Sequence, residues 1–175
     1  MGLGAIISIT DVHIRPVCPD DDMLAITQLL HRAYKPLANA GLQFVATYQD
    51  EATTRERFEA GHGFVALAHG QIVATVTIYA TLHKSACAWY NVEGVWHFGQ
   101  FAVEPECQEV GIGSLLMDFA EHFARLRGAR ELALDTAESA DDLIDFYRVR
   151  LYREVGHVQW DVTNYRSVVL SKELN

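Results

Sequence analysis

The sequence contains little cysteine and fewer basic than acidic residues, and each shortage argues against a class of protein. Its three cysteines, Cys18, Cys87 and Cys107, are odd in number and lack any CxxC or paired spacing. They indicate neither a disulfide framework nor a zinc knuckle, and they suit a cytoplasmic protein in a reducing compartment. Lys and Arg total 14 against 23 Asp and Glu, a formal net charge of -9. A chain with a negative net charge is not expected to bind the phosphates of a nucleic acid.

Long apolar runs and metal-ligand motifs are also missing from the sequence. No apolar stretch approaches the roughly 18 residues that span a bilayer, so no membrane partner is expected. Residues 1 to 9 are apolar but lack a basic region, which favours a first strand over a signal peptide. None of the eight histidines belongs to an HExxH motif or a His-x-His pair, so no metal site is expected.

The composition is that of a globular domain, and the hydrophobic pattern changes along the chain between the periods of strands and of helices. The chain has 175 residues, 50% of them hydrophobic, with no repeat or linker. A domain takes about 100 to 200 residues, so residues 1 to 175 are expected to form one domain. The order of elements indicates a mixed sheet with helices on both faces. Strands are predicted over residues 6 to 17, 64 to 68, 71 to 81, 95 to 103, 131 to 136, 154 to 162 and 166 to 170, and helices after Asp22, over 51 to 60, from about 111 to 127, and over 140 to 151 with Ser139 as cap.

The segment from residue 108 to 114 carries the sharpest local signal, because it joins a predicted strand to a predicted helix. Gly111 and Gly113 allow the backbone to approach a ligand, and the free N–H groups at a helix start favour an anion such as pyrophosphate. Leu116 stands where the dinucleotide fingerprint GxGxxG needs its third glycine, and no Gly-Lys-Ser/Thr of a P-loop follows. An ordinary glycine-rich turn is the alternative interpretation.

This segment resembles the acyl-CoA pyrophosphate loop of the GNAT superfamily of N-acetyltransferases, whose pattern is Gln/Arg-x-x-Gly-x-Gly/Ala. Gln108, Gly111 and Gly113 match that pattern. Further along the chain, Phe146-Tyr147 followed by Leu151-Tyr152 is similar to the Phe-Tyr-x-x-x-Gly-Phe segment of the same family, with leucine in place of the glycine. Within the loop, the acidic residue at position 109 replaces a basic residue that is often found there.

The resemblance implies an α/β fold with a central mixed, mostly antiparallel sheet of about seven strands and about four helices on its two faces. It implies acetyl-CoA as the acyl donor, with the pantetheine arm lying like an added strand between two splayed central strands. The resemblance assigns cofactor binding to the strand residues Phe101, Ala102 and Val103 and to the loop residues Gln108, Glu109, Val110, Gly111, Ile112, Gly113 and Ser114.

The activity implied by the resemblance is direct transfer of an acetyl group to a primary amine within a ternary complex. Tyr147 matches the residue that protonates the departing CoA thiolate. His97 stands where several family members carry a glutamate base, and Glu93 is the competing candidate for that role. The alternative roles are packing in the sheet for His97 and packing of the helix for Tyr147.

The acceptor and the partners stay open at this stage. The resemblance implies a small-molecule or peptide amine as acceptor, and residues 34 to 48 correspond to the variable acceptor-side loop of the family. A homodimer is possible, because members of the family often dimerise. The competing function is a non-catalytic acyl-CoA-binding sensor or interaction domain with the same fold, and a nucleotide-binding domain is a remoter alternative.

Overall fold

The computed structural model describes residues 8–175. These residues form seven strands and five α-helices. Their order along the chain follows the prediction, with one additional short helix. The strands are β1 (Val12–Pro16), β2 (His62–Ala68), β3 (Gln71–Tyr79), β4 (Val95–Val103), β5 (Glu131–Ala137), β6 (Arg153–Gln159) and β7 (Arg166–Glu173), and the helices are α1 (Met23–Asn39), α2 (Val45–Tyr48), α3 (Glu51–Glu59), α4 (Ile112–Leu126) and α5 (Asp141–Val149).

The strands form one sheet in the order β1-β2-β3-β4-β5-β7-β6. Every neighbouring pair is antiparallel except β4 and β5, which run parallel, so the expected mixed α/β sheet is confirmed. The parallel pairing is short, because it ends at His97 and Ala133. β4 nevertheless continues to Val103 and β5 to Ala137. The two strands therefore separate beyond the paired segment, and the gap between them positions the functional site.

Helices cover both faces of the sheet because adjacent strand residues point to opposite sides. Phe64 of β2 belongs to a buried cluster that includes Leu116 of α4 and Ile144 of α5. Its neighbour Val65 belongs to a second cluster with Met23 of α1. Helices α1 and α3 thus lie on one face, and α4 and α5 lie on the other. No helix within residues 8–175 is long and apolar enough to cross a membrane.

Several predicted boundaries were wrong, each for a local reason. β1 begins at Val12, because Ile9–Asp11 forms a 3-10 turn capped by the Ser8 hydroxyl. The predicted first strand also included residues 1–7, which lie outside the described residues. Ala140 rather than Ser139 is the N-cap of α5, and it makes no side-chain hydrogen bond to the helix. Helix α2 was not predicted, because its four residues are too few to show a period.

Leu151 stands where the resembled segment has a glycine, and the structure shows why glycine suits this position. Its φ is +72°, in the left-handed region that costs a residue with a Cβ about 1 to 2 kcal/mol. The turn ends α5, with hydrogen bonds from Leu151 N to Arg148 O at 2.9 Å and from Tyr152 N to Tyr147 O at 3.1 Å. The leucine side chain is exposed, so the departure changes the backbone strain and not the core.

Candidate functional site

A cavity of about 830 Å³ occupies the gap between β4 and β5. Residues 99 to 103 of β4 form one wall, and Leu134, Asp135 and Thr136 of β5 form the opposite wall. The loop after β4 lies at the open end of the gap, and Tyr147 of α5 contributes to the side. Since the two strands share no hydrogen-bonded register here, their facing edges are available to a ligand.

A β-bulge in β4 directs part of its backbone away from β3. Gln100 and Phe101 together lie opposite a single β3 residue, Val76. Gln100 has a φ of +48°, which is uncommon for a residue with a side chain. Its buried amide is held by Gln49 Nε2, which donates to Oε1 at 2.7 Å, and by Thr77 Oγ1, which accepts from Nε2 at 3.0 Å. The bulge leaves Phe101 without a register partner on either neighbouring strand.

The loop at the open end of the cavity presents a row of backbone donors. Helix α4 begins directly after Gly111, whose φ is +93°, and the first helical hydrogen bond runs from Leu115 N to Gly111 O at 3.0 Å. Within the described part of the chain, the backbone N–H groups of residues 109 to 114 have no acceptor. Gln108 Nε2 donates to Val103 O at 3.1 Å, which ties the loop to β4. Free donors at a helix start form an anion site.

Tyr147 of α5 lies in the side of the cavity with its ring buried. The ring packs against Phe98, Phe146 and Tyr152, with centroid separations of 5.2 to 6.1 Å. Burial raises the pKa of the Tyr147 hydroxyl above its usual range, so the phenol keeps its proton at neutral pH. The side chain is therefore a buried, protonated phenol in the wall of the cavity.

His97 and Glu93, the two residues predicted to act as a base, do not line this cavity. The His97 ring is stacked between Tyr79 and Tyr90, with centroid distances of 4.9 and 4.1 Å. Its Nδ1 is buried and has no hydrogen-bond partner within residues 8–175, and burial lowers its pKa to about 4. Glu93 lies in the turn before β4. Of the three predicted catalytic residues, Tyr147 therefore lines the cavity, whereas His97 and Glu93 do not.

The family of the chain follows from its sequence as a whole. The sequence profile of the Acetyltransferase (GNAT) family matches residues 24–151, which include β2 to β5, α2 to α5 and all of α1 except its first residue. The chain belongs to the GNAT acetyltransferase family. The acetyltransferase is 28% identical over 138 residues to S-(2-succino)cysteine N-acetyltransferase from Bacillus subtilis (strain 168), an alignment that covers 77% of this chain and 81% of that protein.

Solved structures share the fold of this acetyltransferase at low sequence identity. The ribosomal-protein-S18-alanine N-acetyltransferase from Escherichia coli superposes with a TM-score of 0.70 at 16% identity, covering 94% of both chains. A GNAT family acetyltransferase from Elizabethkingia anophelis with acetyl-CoA bound superposes with a TM-score of 0.67 at 14% identity, covering 94% of this chain and 99% of that one. These likenesses confirm the fold.

Most of the residues predicted to bind the cofactor lie together in the acetyltransferase structure. The exceptions are Val110, which is exposed, and Ile112, which is buried in the core beneath α4. Their backbone N–H groups still belong to the donor row of the loop. The eight predicted residues that line the cavity are Phe101, Ala102, Val103, Gln108, Glu109, Gly111, Gly113 and Ser114.

Sequence reasoning missed several residues of the same cavity. Tyr34 lies within the segment expected to form the acceptor side, and its hydroxyl donates to Phe101 O at 3.0 Å. Burial raises the pKa of Tyr34 to about 12. Asp135 could have been noticed in the sequence, because it is an acidic residue that directly follows the apolar residues 132 to 134 of β5. The other missed residues include Arg57, Trp160 and Tyr165, which no local motif connects.

The stability of the acetyltransferase is expected to fall in mild acid because of His97. Folded, this side chain has a pKa of about 4, whereas an unfolded histidine titrates near pH 6.5. Between these values the unfolded chain binds the extra proton, so this contribution is complete above about pH 6.5 and is lost as the pH falls toward 4. At about 1.4 kcal/mol for each pH unit, the loss amounts to about 3 kcal/mol.

Urea denaturation of the wild type and of His97→Phe at pH 7 and pH 4.5 measures this term. Phenylalanine retains the stacking between Tyr79 and Tyr90 but cannot be protonated. The free energy of unfolding should therefore fall by about 2 to 3 kcal/mol less in the variant than in the wild type. Equal losses in the two proteins would mean that the His97 pKa is not depressed by burial.

Proposed function

We propose that this acetyltransferase transfers an acetyl group from acetyl-CoA directly to the primary amine of a small molecule or peptide. The observation that carries the proposal is one cavity that joins the donor row of residues 109 to 114, the main chain of Phe101, which has no partner on a neighbouring strand, and the side chain of Tyr147. Pyrophosphate, a pantetheine arm and a thiolate leaving group require, in turn, an anion site, a strand edge and a proton donor.

The residues of the cavity fit the acyl donor from end to end. The free N–H groups of the loop would bind the pyrophosphate, although the like charge of Glu109 opposes it. The main chain of Phe101 and Val103 would pair with the amides of the pantetheine arm, as an added strand pairs with a sheet edge. Acetyl-CoA supplies the activated acetyl group, and the cavity would hold that group near the point where β4 and β5 separate.

Two groups of the chain would assist the transfer once an acceptor amine attacks the thioester carbonyl. A backbone N–H near Phe101 would stabilise the negative charge that develops on the carbonyl oxygen. Tyr147 would donate its proton to the sulfur as the carbon–sulfur bond breaks, since its hydroxyl is protonated at neutral pH. The carbon–nitrogen bond forms as the amine attacks, the protons that the amine loses pass to solvent water, and Tyr147 regains its proton from water.

Two measurements test this function in sequence. Acetyl-CoA at 100 times its dissociation constant should add about 2.7 kcal/mol to stability, a rise of several degrees in Tm that NAD and ATP should not reproduce. Thiol release should then be followed with an amine panel that includes S-(2-succino)cysteine, which is named for one relative. The panel also includes a peptide with an N-terminal alanine, because an alanine of a ribosomal protein is named for another. Binding without thiol release would favour the non-catalytic alternative. A Tm unchanged by acetyl-CoA would contradict the proposal.

A further inference from the structure

The cavity carries an unpaired positive and an unpaired negative side chain near the point where its two strands part. His97 of β4 and Ala133 of β5 form the last pair of the parallel register. Gly99 and Asp135 each lie two residues beyond that pair, where the strands have begun to separate. A Cβ added at Gly99 would lie 3.2 Å from Nη2 of Arg57, which places that guanidinium against the same stretch of β4. The phosphate-binding loop lies beyond the other end of β4.

The guanidinium of Arg57 is held in place by neutral groups. Its Nη1 donates to Gln49 Oε1 at 2.7 Å, and Gln49 Nε2 donates to Gln100 Oε1 and Thr54 Oγ1, both at 2.7 Å. All three of these partners are buried. Within residues 8–175 no carboxylate lies within 4.0 Å of Arg57, and four of its five N–H donors have no acceptor. A fixed guanidinium with free donors in a cavity suits a bidentate carboxylate.

Asp135 is oriented in a similar way by neutral donors. Its Oδ1 accepts a hydrogen bond from the Tyr90 hydroxyl at 2.8 Å, and its Oδ2 accepts one from Trp160 Nε1 at 2.8 Å. Both partners keep the carboxylate in the cavity wall and leave its formal charge uncompensated, and each oxygen retains a lone pair for a further donor. An ammonium or amine group is the ligand that supplies such donors.

We infer that the acceptor is a small amino acid whose amine and carboxylate lie close together, and not the N-terminus of a peptide. Arg57 binds the carboxylate, and Asp135 accepts hydrogen bonds from the amine that will be acetylated. The inference rests on the proposed function and names its substrate class. It follows because the two charges lie in the same cavity without pairing with each other, and a zwitterion satisfies both at once. A peptide N-terminus has no carboxylate beside its amine.

Matched pairs of amines test this assignment. S-Methylcysteine, S-benzylcysteine and phenylalanine are compared with S-methylcysteamine, S-benzylcysteamine and phenethylamine, which differ by the carboxylate alone. The wild type should favour the carboxylate member of an accepted pair by about 10- to 100-fold in kcat/KM. Arg57→Gln should remove that preference mainly through KM, so that the two members of a pair react at similar rates, and Arg57→Lys should retain part of it. Asp135→Asn should slow both members of the pair.

Arg55→Gln is the matched control, because Arg55 lies on the same helix, pairs with Glu51 at 3.6 Å and does not line this cavity. Equal rates within every pair, or a preference that survives in Arg57→Gln, would overturn the inference while leaving acetyl transfer established. If no amine releases thiol, the proposed function fails. The binding of an amino acid by Arg57 is then tested by the Tm measured with CoA present. The amino acids must then raise Tm in the wild type more than in Arg57→Gln. Failure to do so, or a larger rise with inorganic phosphate, would overturn it.

Discussion

Replacement of Gly113 by tryptophan is expected to abolish acetyl-CoA binding while the fold is retained. Gly113 lies in the first turn of α4 and lines the cavity. A Cβ at this position would lie 3.8 Å from Phe101 Cζ and from Val103 Cγ2, which is ordinary van der Waals contact. An indole would extend further, into the space between the loop and β4 that the proposed function gives to the acyl donor. We expect the dissociation constant to rise at least about 100-fold.

Gly113→Ala is the matched control, because a single methyl group fits without displacing its neighbours. Titration calorimetry should find acetyl-CoA affinity within a few-fold of the wild type for the alanine variant and no detectable binding for the tryptophan variant. Thermal unfolding without ligand should be similar in all three proteins. Gly111 is less informative, because its φ of +93° makes any substitution there a test of backbone strain. Tight binding by Gly113→Trp would place the donor outside the cavity.

Tyr147→Phe is expected to lower kcat by about 100-fold or more, in line with the usual contribution of a general acid. The ring makes the packing contacts with Phe98 and Phe146, and phenylalanine retains these contacts. The affinity for acetyl-CoA should therefore change by less than a few-fold, and the loss should occur in kcat rather than in KM. The measurement is initial-rate thiol release at saturating acetyl-CoA, together with the dissociation constant of CoA.

Tyr152→Phe is the comparison for this loss. Tyr152 is also buried, and its ring packs against Tyr147 with centroids 5.8 Å apart. Its hydroxyl donates to Glu121 Oε1 at 3.3 Å, and the residue does not line the cavity. Removal of this hydroxyl should reduce stability slightly and leave kcat nearly unchanged. Equal kcat values for Tyr147→Phe and the wild type would remove Tyr147 from the chemistry.

The glycine-containing loop after β4 and the central strand could be predicted from the sequence because their signals are local. The strand predicted over residues 95 to 103 has the bounds of β4, and the predicted helix start near Gly111 agrees with α4. The φ of Gly111 is +93°, which favours glycine there. Gln108 and Gly113, which match the family pattern, both line the cavity. The start of β1 and the cap of α5 were misplaced, since a 3-10 turn and an uncapped helix start leave no periodic pattern.

The sequence by itself determined the family, the order of the elements and the loop, because periodicity, glycine positions and short motifs act over neighbouring residues. Only the tertiary structure decided which other side chains share the cavity. Arg57 and Asp135 are distant in sequence, and both line the cavity that opens where β4 and β5 separate. His97 carries the right chemistry for a base, but the fold stacks it between Tyr79 and Tyr90 and lowers its pKa by burial. Strand pairing and burial are long-range, and no local pattern encodes them.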